Sequence, residues 1–250
     1  KGFTVNLYLE DWSSGMRDSR DYLFMMMDEL VKLPIKRFLL PDTLGILNPL
    51  QCVEYMRQMV RRYPNSHFDF HAHNDYDLAV SNSLAAVLSG AKGLHVTVNG
   101  LGERCGNAPL ASVQVILKDM FEAKTNIKED RLNDISRLVE GYSGIAVAPN
   151  TPVVGDNVFT QVAGVHADGD NKDKLYCNDL VPERFGRHRE YALGKNSGKA
   201  NIVQNLNELG LELTPEQTKA VTKRITELGD RKELVTQDDL PYIVRDDFKH

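Results

Sequence analysis

Short apolar segments alternate with longer amphipathic segments through the first half of the chain. This order is typical of parallel strands joined by helical crossovers, and it gives four strand–helix units. The pattern predicts strands over residues 3–10, 37–41, 67–73 and 93–99, and helices over residues 19–33, 48–63, 78–89 and 109–123. Asn48 followed by Pro49 predicts a capped helix start, because proline loses no hydrogen bond in the first turn.

Three of the predicted strands have one apolar face and one polar face, since side chains two positions apart point the same way. The polar positions are Asn6, Tyr8 and Glu10, then His67, Asp69, His71 and His73, and finally His95, Thr97 and Asn99. The apolar face of such a sheet packs against helices, so the polar faces are expected to meet in an enclosed interior. This is the arrangement inside a (β/α)8 barrel near its catalytic end.

Four units are half of the eight that a closed barrel of this class needs. The chain also begins at a strand and has no initiator methionine. We therefore expect an α/β fold in which residues 1–123 form the C-terminal half of a TIM-type (β/α)8 barrel cut from a longer protein. The alternative is a half-barrel that is closed by another element.

Beyond residue 124 the strand pattern fades and the sequence reads as helices separated by loops. Thr214, Pro215 and Gln217 form a capping box that predicts a helix to about residue 228, and Thr236 with Asp239 predicts another helix start. Residues 155–174 and 182–198 are long, polar and glycine-containing, which is typical of functional loops. We expect small helical subdomains: a helical and loop-rich lid over residues 124–185, and a second helical subdomain over residues 186–250.

Composition excludes several classes of protein. The chain has 250 residues, 42% hydrophobic residues and a formal net charge of −5, so it can bury a sizeable core and has no basic field that attracts nucleic acid. We find neither an apolar stretch of about 20 residues nor a signal-peptide pattern. Three widely spaced cysteines argue against a disulfide framework and a cysteine-based zinc site. We expect a cytoplasmic protein with reduced thiols that binds neither nucleic acid nor membrane.

His71 and His73 lie on one face at the end of the third predicted strand, where two ring nitrogens can converge on one metal ion. A histidine pair of this spacing is equally often a hydrogen-bonding pair in a protein core, but Asn74 and Asp75 directly after it favour a site. Residues 99–107 (NGLGERCGN) form a glycine-rich turn after the next strand, and glycine lets the backbone approach a ligand closely. The alternative for this segment is a tight strand-to-helix turn without a ligand.

Polar groups follow all four predicted strands. Residues 8–12 and 40–45 (LPDTLG) leave the first and second strands, as the histidine pair and the glycine-rich turn leave the third and fourth. The C-terminal ends of the strands form the active site in a (β/α)8 barrel. A single polar turn is explained by a helix cap, but four together indicate a catalytic site.

These motifs resemble the DRE-TIM metallolyase superfamily, in the branch that contains the citramalate, 2-isopropylmalate and homocitrate synthases. The resemblance is carried by residues 71–75 (HAHND) and 99–107, with support from residues 40–45, 164–169 (GVHADG) and 193–198 (LGKNSG). Residues 8–13 (YLEDWS) and 166–170 (HADGD) look closer to citramalate synthases than to the leucine-pathway enzymes. The resemblance extends over nearly the whole chain.

The resemblance implies a divalent metal ion, Mg, Mn or Zn, that is bound by His71 and His73, with Asn107 as a further ligand or near neighbour. In the family, the remaining protein ligand is an aspartate of an Arg-Asp-Gly segment on the first barrel strand. This chain contains no such segment. Two imidazoles and one carboxamide are therefore the expected donors of this chain.

Two further groups of site residues are implied by the resemblance. They are the substrate-binding residues Tyr8, Thr43 and Asp168, and the catalytic residues Glu10, His166 and Tyr176. In the family, His166, Asp168 and Tyr176 belong to a helical element that covers the partner's barrel in the homodimer. The implied partners are acetyl-CoA, a 2-oxo acid and a second copy of the chain.

The implied reaction is an acyl transfer that converts the acyl group into an alkyl group. A 2-oxo acid chelates the metal through a carboxylate oxygen and its keto oxygen, which orients and polarises the carbonyl. A base, His166 or the cluster around Glu10, removes a proton from the methyl group of acetyl-CoA, and the enolate then forms the carbon–carbon bond before the thioester is hydrolysed. We expect pyruvate as the 2-oxo acid, in the biosynthesis of isoleucine and leucine.

Two alternatives remain open at this point. The first is another synthase of the same branch, acting on 2-oxoisovalerate to make 2-isopropylmalate, or forming homocitrate. The second is a catalytically inactive fragment that serves as a dimerisation or binding module, which the absent metal-binding aspartate favours.

Overall fold

A computed structural model describes residues 2–161, 178–191, 193–194, 197–231 and 235–247. The chain divides into two compact units, one formed by Lys1–Lys128 with Asp134–Val147 and the other by Glu129–Asn133 with Ala148–His250. The predicted three-part division at residues 123 and 185 stays a prediction. Among the described residues, no helix has the length and apolar character needed to cross a membrane.

A parallel sheet of four strands organises the first unit. Its strands are β1 (Val5–Tyr8), β2 (Ile35–Asp42), β3 (Phe68–Ala72) and β4 (Gly93–His95), in the spatial order β1-β2-β3-β4. Each neighbouring pair is parallel. Sequential parallel order is the topology of one half of a (β/α)8 barrel, so the expected fold class is confirmed.

Helices follow these strands, the first four as connections between strands and the last two after β4. They are α1 (Trp12–Asp18), α2 (Arg20–Leu30), α3 (Pro49–Arg62), α4 (Ala79–Leu88), α5 (Leu110–Phe121) and α6 (Leu132–Ser143). Asn48 caps α3 as predicted, because its side chain accepts a hydrogen bond from the amide of Gln51, whose side chain accepts one from the amide of Asn48. The short helix α1 was not predicted, and it begins directly after the left-handed residue Asp11.

The strand ends differ from the prediction in one informative way. The fourth strand ends at His95 rather than at residue 99, because Val98–Gly100 forms a 3-10 turn in which Asn99 has a φ of 57°. After this turn the chain folds back to the end of β3, where Asn107 forms a bridge with His73. The glycine-rich segment therefore lies at the C-terminal ends of the strands.

The predicted alternation of faces is confirmed in the core of the first unit. Phe68 and Phe70 are fully buried on the apolar face of β3, and Leu9 and Leu40 are buried on the same side of their strands. The side chains that pack against them come mainly from the helices and include Trp12, Met16, Met27, Met56 and Met59. The polar residues of β1, β3 and β4 are left to the opposite face.

The second unit contains short elements around its own core. It has 3-10 helices at Asp156–Phe159 and Pro182–Phe185, a parallel pair of two-residue strands, β5 (Thr160–Gln161) and β6 (Glu190–Tyr191), and helices α7 (Lys199–Glu208), α8 (Pro215–Asp230) and α9 (Leu240–Asp247). The predicted capping box at Thr214 begins α8. The strand pair was not predicted, since two residues are too few to show an alternating pattern.

Candidate metal and substrate site

The histidine pair projects from the C-terminal end of β3. His71 is the penultimate residue of the strand and His73 follows its last residue, so both imidazoles leave the same face. Their ring centroids are 5.1 Å apart with the rings nearly perpendicular. The ring of His95, from β4, lies 6.1 Å from that of His71.

Asn107 reaches this pair because its loop folds back onto the end of β3. An isolated antiparallel bridge joins His73 to Asn107, and the amide of Asn74 donates to the carbonyl of Gly106 at 2.9 Å. The Asn107 side chain is buried and donates through Nδ2 to the carbonyl of Leu101 at 2.9 Å. The amide nitrogen of the side chain is thereby occupied within its own loop.

Two glycines make this fold of the loop possible. Gly106 has a φ of +80°, and a Cβ there would collide with the carbonyl oxygen of Gly100. At Gly102, a Cβ would collide with the carboxamide of Asn107. A loop without these glycines could not hold Asn107 in its observed position.

Three buried atoms at this place have no hydrogen-bond partner in the described part of the chain. They are Nδ1 of His71, Nδ1 of His73 and Oδ1 of Asn107. Buried polar atoms are almost always paired, so three neighbouring exceptions need an explanation. Imidazole nitrogens and an amide oxygen are suitable ligands for a divalent cation, and these residues therefore fit the implied metal.

The charge state of His71 suits the same purpose. Burial lowers the pKa of His71 to about 4, with a smaller contribution from the nearby His73 and His95. The ring is therefore neutral at neutral pH and keeps a lone pair, as a metal ligand must. Within the described ranges, no three His, Cys, Asp or Glu side chains are arranged to hold a metal.

A second cluster lies on the inner face of the sheet around Asp69, which is only 2% exposed. His67 Nε2 lies 2.8 Å from Asp69 Oδ1, and His95 Nε2 lies 3.5 Å from Oδ2.

Tyr8 extends this cluster toward β1. The other ring nitrogen of His95 is 2.6 Å from the hydroxyl of Tyr8. Burial, together with the charges of Asp69 and Glu10, raises the pKa of Tyr8, so the phenol keeps its proton at neutral pH. Gly93 makes room for this cluster, since a Cβ there would collide with the Asp69 carboxylate.

Glu10 and Thr43 meet at the ends of β1 and β2. The hydroxyl of Thr43 donates to Oε1 of Glu10 at 3.0 Å and accepts from the amide of Asp11 at 3.0 Å. These two hydrogen bonds connect the segment after β1 to the turn after β2. The charge of Glu10 slightly opposes the lowering of the His71 pKa.

Arg104 joins three of the strand-end loops. Its Nε and Nη2 donate to the two carboxylate oxygens of Asp75 at 2.7 and 3.0 Å, and Nη2 also donates to the carbonyl of Thr43 at 2.8 Å. The guanidinium lowers the pKa of Asp75, so this carboxylate is charged at neutral pH. Sequence patterns had given Arg104 no role, although a fixed charge inside a glycine-rich turn was a usable signal.

Residues 6–139 match the family model described as HMGL-like. The chain belongs to the HMGL-like family. Residues 153–233 match a second family model, described as homocitrate synthase post-HMGL domain-like. The resemblance to the DRE-TIM superfamily that the motifs indicated is confirmed.

Relatives of this HMGL-like chain carry the names of synthases. It is 37% identical over 248 residues to a putative (R)-citramalate synthase of Methanopyrus kandleri, covering 98% of the chain and 48% of the relative. It is 40% identical over 230 residues to a probable 2-isopropylmalate synthase of the same organism, covering 92% and 45%. Identity to the (R)-citramalate synthase of Methanocaldococcus jannaschii is 36% over 245 residues, covering 98% and 49%. The chain spans about half the length of the relatives it matches.

Within the HMGL-like region, the structure places the predicted site residues at one end of the sheet. Those it brings there are Tyr8, Glu10, Thr43, His71, His73 and Asn107. Their roles stay predictions. The predicted residues His166, Asp168 and Tyr176 lie outside the described residues.

Proposed function

We propose that the protein is a metal-dependent acyltransferase that condenses acetyl-CoA with a 2-oxo acid and hydrolyses the thioester, giving a 2-hydroxy dicarboxylate. The observation that carries the proposal is the set of buried, unpaired donor atoms on His71, His73 and Asn107. Pyruvate is the preferred 2-oxo acid, so the product is citramalate. The similarity to relatives named citramalate synthase supports this choice.

His71, His73 and Asn107 would hold the cation, Mg, Mn or Zn, through two neutral imidazoles and the carboxamide oxygen. A cation in this position would orient the 2-oxo acid and polarise its keto carbonyl. The glycine-rich loop fixes the orientation of the Asn107 carboxamide, because its nitrogen donates a hydrogen bond to the carbonyl of Leu101. The carboxamide oxygen is then available to bind the cation.

The chain's own residues handle the substrate and the proton. Tyr8 and Thr43 are proposed to contact the 2-oxo acid, and Asp168 to bind substrate as well. Glu10, oriented by the Thr43 hydroxyl, or His166 removes the methyl proton of acetyl-CoA. Tyr176 is proposed to complete the catalytic group. In this proposal the protein works as a homodimer in the cytoplasm, in the biosynthesis of isoleucine and leucine.

The test is substrate profiling of the purified protein with Mn²⁺ and acetyl-CoA. Release of free coenzyme A thiol is compared for pyruvate, 2-oxoisovalerate and 2-oxoglutarate, and the product is identified by mass spectrometry. We expect the highest kcat/KM with pyruvate. A preference for another acid would contradict the pyruvate assignment but keep the acyltransferase.

A second candidate is 2-isopropylmalate synthase, favoured by the relative of that name at 40% identity. Homocitrate synthase is third. The remaining alternative, an inactive dimerisation or binding module, predicts no thiol release with any acid. Calorimetry with Mn²⁺ distinguishes this alternative further. Micromolar affinity for Mn²⁺ requires donor atoms that are already in place, so it would argue against an inactive module.

A further inference from the structure

Arg104 occupies an unusual position in the glycine-rich loop. It is neither one of the donor residues nor one of the proposed substrate contacts, yet its guanidinium makes hydrogen bonds to two other loops. Its own backbone has a φ of 54°, in the left-handed region that residues other than glycine adopt rarely. Such a conformation persists only where surrounding contacts hold it.

The contacts of Arg104 have a geometry that another cation could not reproduce. Two nitrogens of the guanidinium face the two oxygens of Asp75, and this paired arrangement sets orientation as well as distance. One of these nitrogens also reaches the carbonyl of Thr43. A lysine ammonium at the same place is a point charge and would lose the fixed orientation.

The loops that Arg104 joins are those that carry the proposed functional groups. Asp75 is two residues after His73, and Asn107 is three residues after Arg104. The same two loops meet a second time through the amide of Asn74 and the carbonyl of Gly106. Thr43 extends the connection to Glu10 through its hydroxyl.

The turn after β2 is also fitted closely to the Asp75 loop. Gly45 has a φ of +61°, and a Cβ there would lie 2.9 Å from Oδ2 of Asp75 and 3.0 Å from the carbonyl of His73. Asp75 is therefore enclosed between Gly45 on one side and the Arg104 guanidinium on the other. A small shift of Asp75 would be transmitted to the backbone of His73.

We propose that Arg104 is a positioning residue: by binding Asp75 and the Thr43 carbonyl it sets the glycine-rich loop against the ends of β2 and β3, and so fixes the distance between the donor atoms of His73 and Asn107. The inference rests on the proposed function, because it assigns these atoms to a cation. Arg104 does not touch the reacting atoms. Its effect passes through the two loops.

The chain offers a matched control for this proposal. Arg62 on α3 makes a comparable pair with Asp28 on α2, with Nη2 2.7 Å from Oδ2 and both side chains nearly half exposed. This pair lies on the outer helices, away from the C-terminal ends of the strands. Loss of Arg62 removes this partly exposed ion pair and a hydrogen bond to the Tyr63 hydroxyl. Of the two arginines, only Arg104 joins the loops of the site.

The experiment compares wild type, Arg104→Lys, Arg104→Gln and Arg62→Gln. Calorimetry gives the Kd for Mn²⁺, thermal unfolding gives Tm, and hydrogen exchange reports on the amides of Asn74 and Asn107. We expect both Arg104 variants to weaken Mn²⁺ binding about tenfold, at the lower end for residues that orient metal ligands. Exchange at both amides should accelerate. Arg62→Gln should change neither quantity, even where its Tm falls as far as that of Arg104→Gln.

Four outcomes are separable. Unchanged Mn²⁺ affinity in Arg104→Gln overturns the inference, and so does full rescue by Arg104→Lys, since charge alone would then suffice. If Mn²⁺ binding is weakened in Arg62→Gln as well, the loss of affinity follows from lower overall stability, and the inference is also overturned. If the wild type binds no Mn²⁺, the proposed function fails. The exchange rates then decide on Arg104 alone, and unchanged rates reject its positioning role.

Discussion

The hydroxyl of Tyr8 lies 2.6 Å from Nδ1 of His95, and this contact joins the two edge strands of the four-stranded sheet. Neighbouring strands are about 4.8 Å apart, so a flat sheet would separate β1 and β4 by roughly 14 Å. Side chains project steeply from a sheet, so those of strands this far apart meet only when the sheet curves toward their shared face. Tyr8 and His95 therefore show the barrel-like curvature of the half-barrel directly.

His95 lies between two polar groups. Its Nε2 is 3.5 Å from Oδ2 of Asp69, and its Nδ1 is 2.6 Å from the Tyr8 hydroxyl. Asp69 lies on the inner face of the sheet and contacts both His67 and His95. Burial raises the pKa of Tyr8 and the charge of Asp69 raises it further, although the two side chains are not hydrogen-bonded to each other.

Replacing Asp69 should destabilise the protein. In Asp69→Ala the buried carboxylate that pairs with His67, Arg37 and His95 is lost, and we expect the free energy of unfolding to fall by about 2 kcal/mol. Urea unfolding measures the change. Asp21→Ala, at an exposed position on α2, should change it by less than about 0.5 kcal/mol. Equal effects of the two substitutions would argue against a supporting role for Asp69.

Metal binding should depend on His73 and not on His67. We expect His73→Ala to weaken Mn²⁺ binding by at least about tenfold, because one of the two imidazole donors is removed. His67→Ala, on the same face of the same segment, removes a ring that is bonded to Asp69 instead and should leave the affinity unchanged. Calorimetric titration distinguishes them. Similar losses in both variants would mean that the cation is held elsewhere.

Gly106 should tolerate no side chain. Gly144→Ala introduces a Cβ at a positive φ of +68° with open space around it, and should cost about 1 kcal/mol of stability. Gly106→Ala adds a collision with the Gly100 carbonyl, so we expect a further loss of roughly 2 kcal/mol together with weaker Mn²⁺ binding. Denaturant titration and calorimetry check both effects. If the two variants behave alike, the close approach of the loop is not required.

The pair of Asp28 and Arg62 should contribute to stability in a pH-dependent way. Hydrogen bonds from Arg62 and then Tyr63 lower the pKa of Asp28 in the folded protein. The contribution is therefore present above the pKa of an unfolded aspartate, about 3.9, and is lost as the pH falls through the lower folded value. The stability difference between wild type and Asp28→Asn, measured by urea unfolding, should shrink between pH 6 and pH 3. A difference that grows on acidification would contradict the assigned direction.

The two cysteines of the described chain should differ in reactivity. Cys52 is fully buried, burial raises the pKa of its thiol well above the ordinary range, and its Sγ donates to the carbonyl of Asn82. Cys105 is exposed in the glycine-rich loop. Peptide mass spectrometry after brief treatment with N-ethylmaleimide should find Cys105 modified and Cys52 intact, and denaturation should expose both. Early modification of Cys52 would show that the core opens more readily than its packing implies.

The sequence by itself determined which side chains share the inner face of the sheet. A strand has a period of two, so the positions of His71 and His73 followed from the alternation with Phe68 and Phe70 before any fold was known. That of His95 followed in the same way from the alternation with Leu94 and Val96. Caps were determined in the same local way, as Asn48 before α3 shows. The short helix α1 and the two-residue strands of the second unit were not predicted from the sequence, because neither is long enough to display a period.

Only the tertiary structure decided how the strand-end loops fit together. Arg104, Asp75 and Thr43 are distant in sequence, and their side-chain directions depend on left-handed turns such as that at Asn99, which no periodicity encodes. The burial of Asp69 was likewise decided by the curvature that brings β1 and β4 together. Alternation along a strand is a local property of the backbone. Contacts between loops form only when the sheet curves and brings segments that are distant in sequence together.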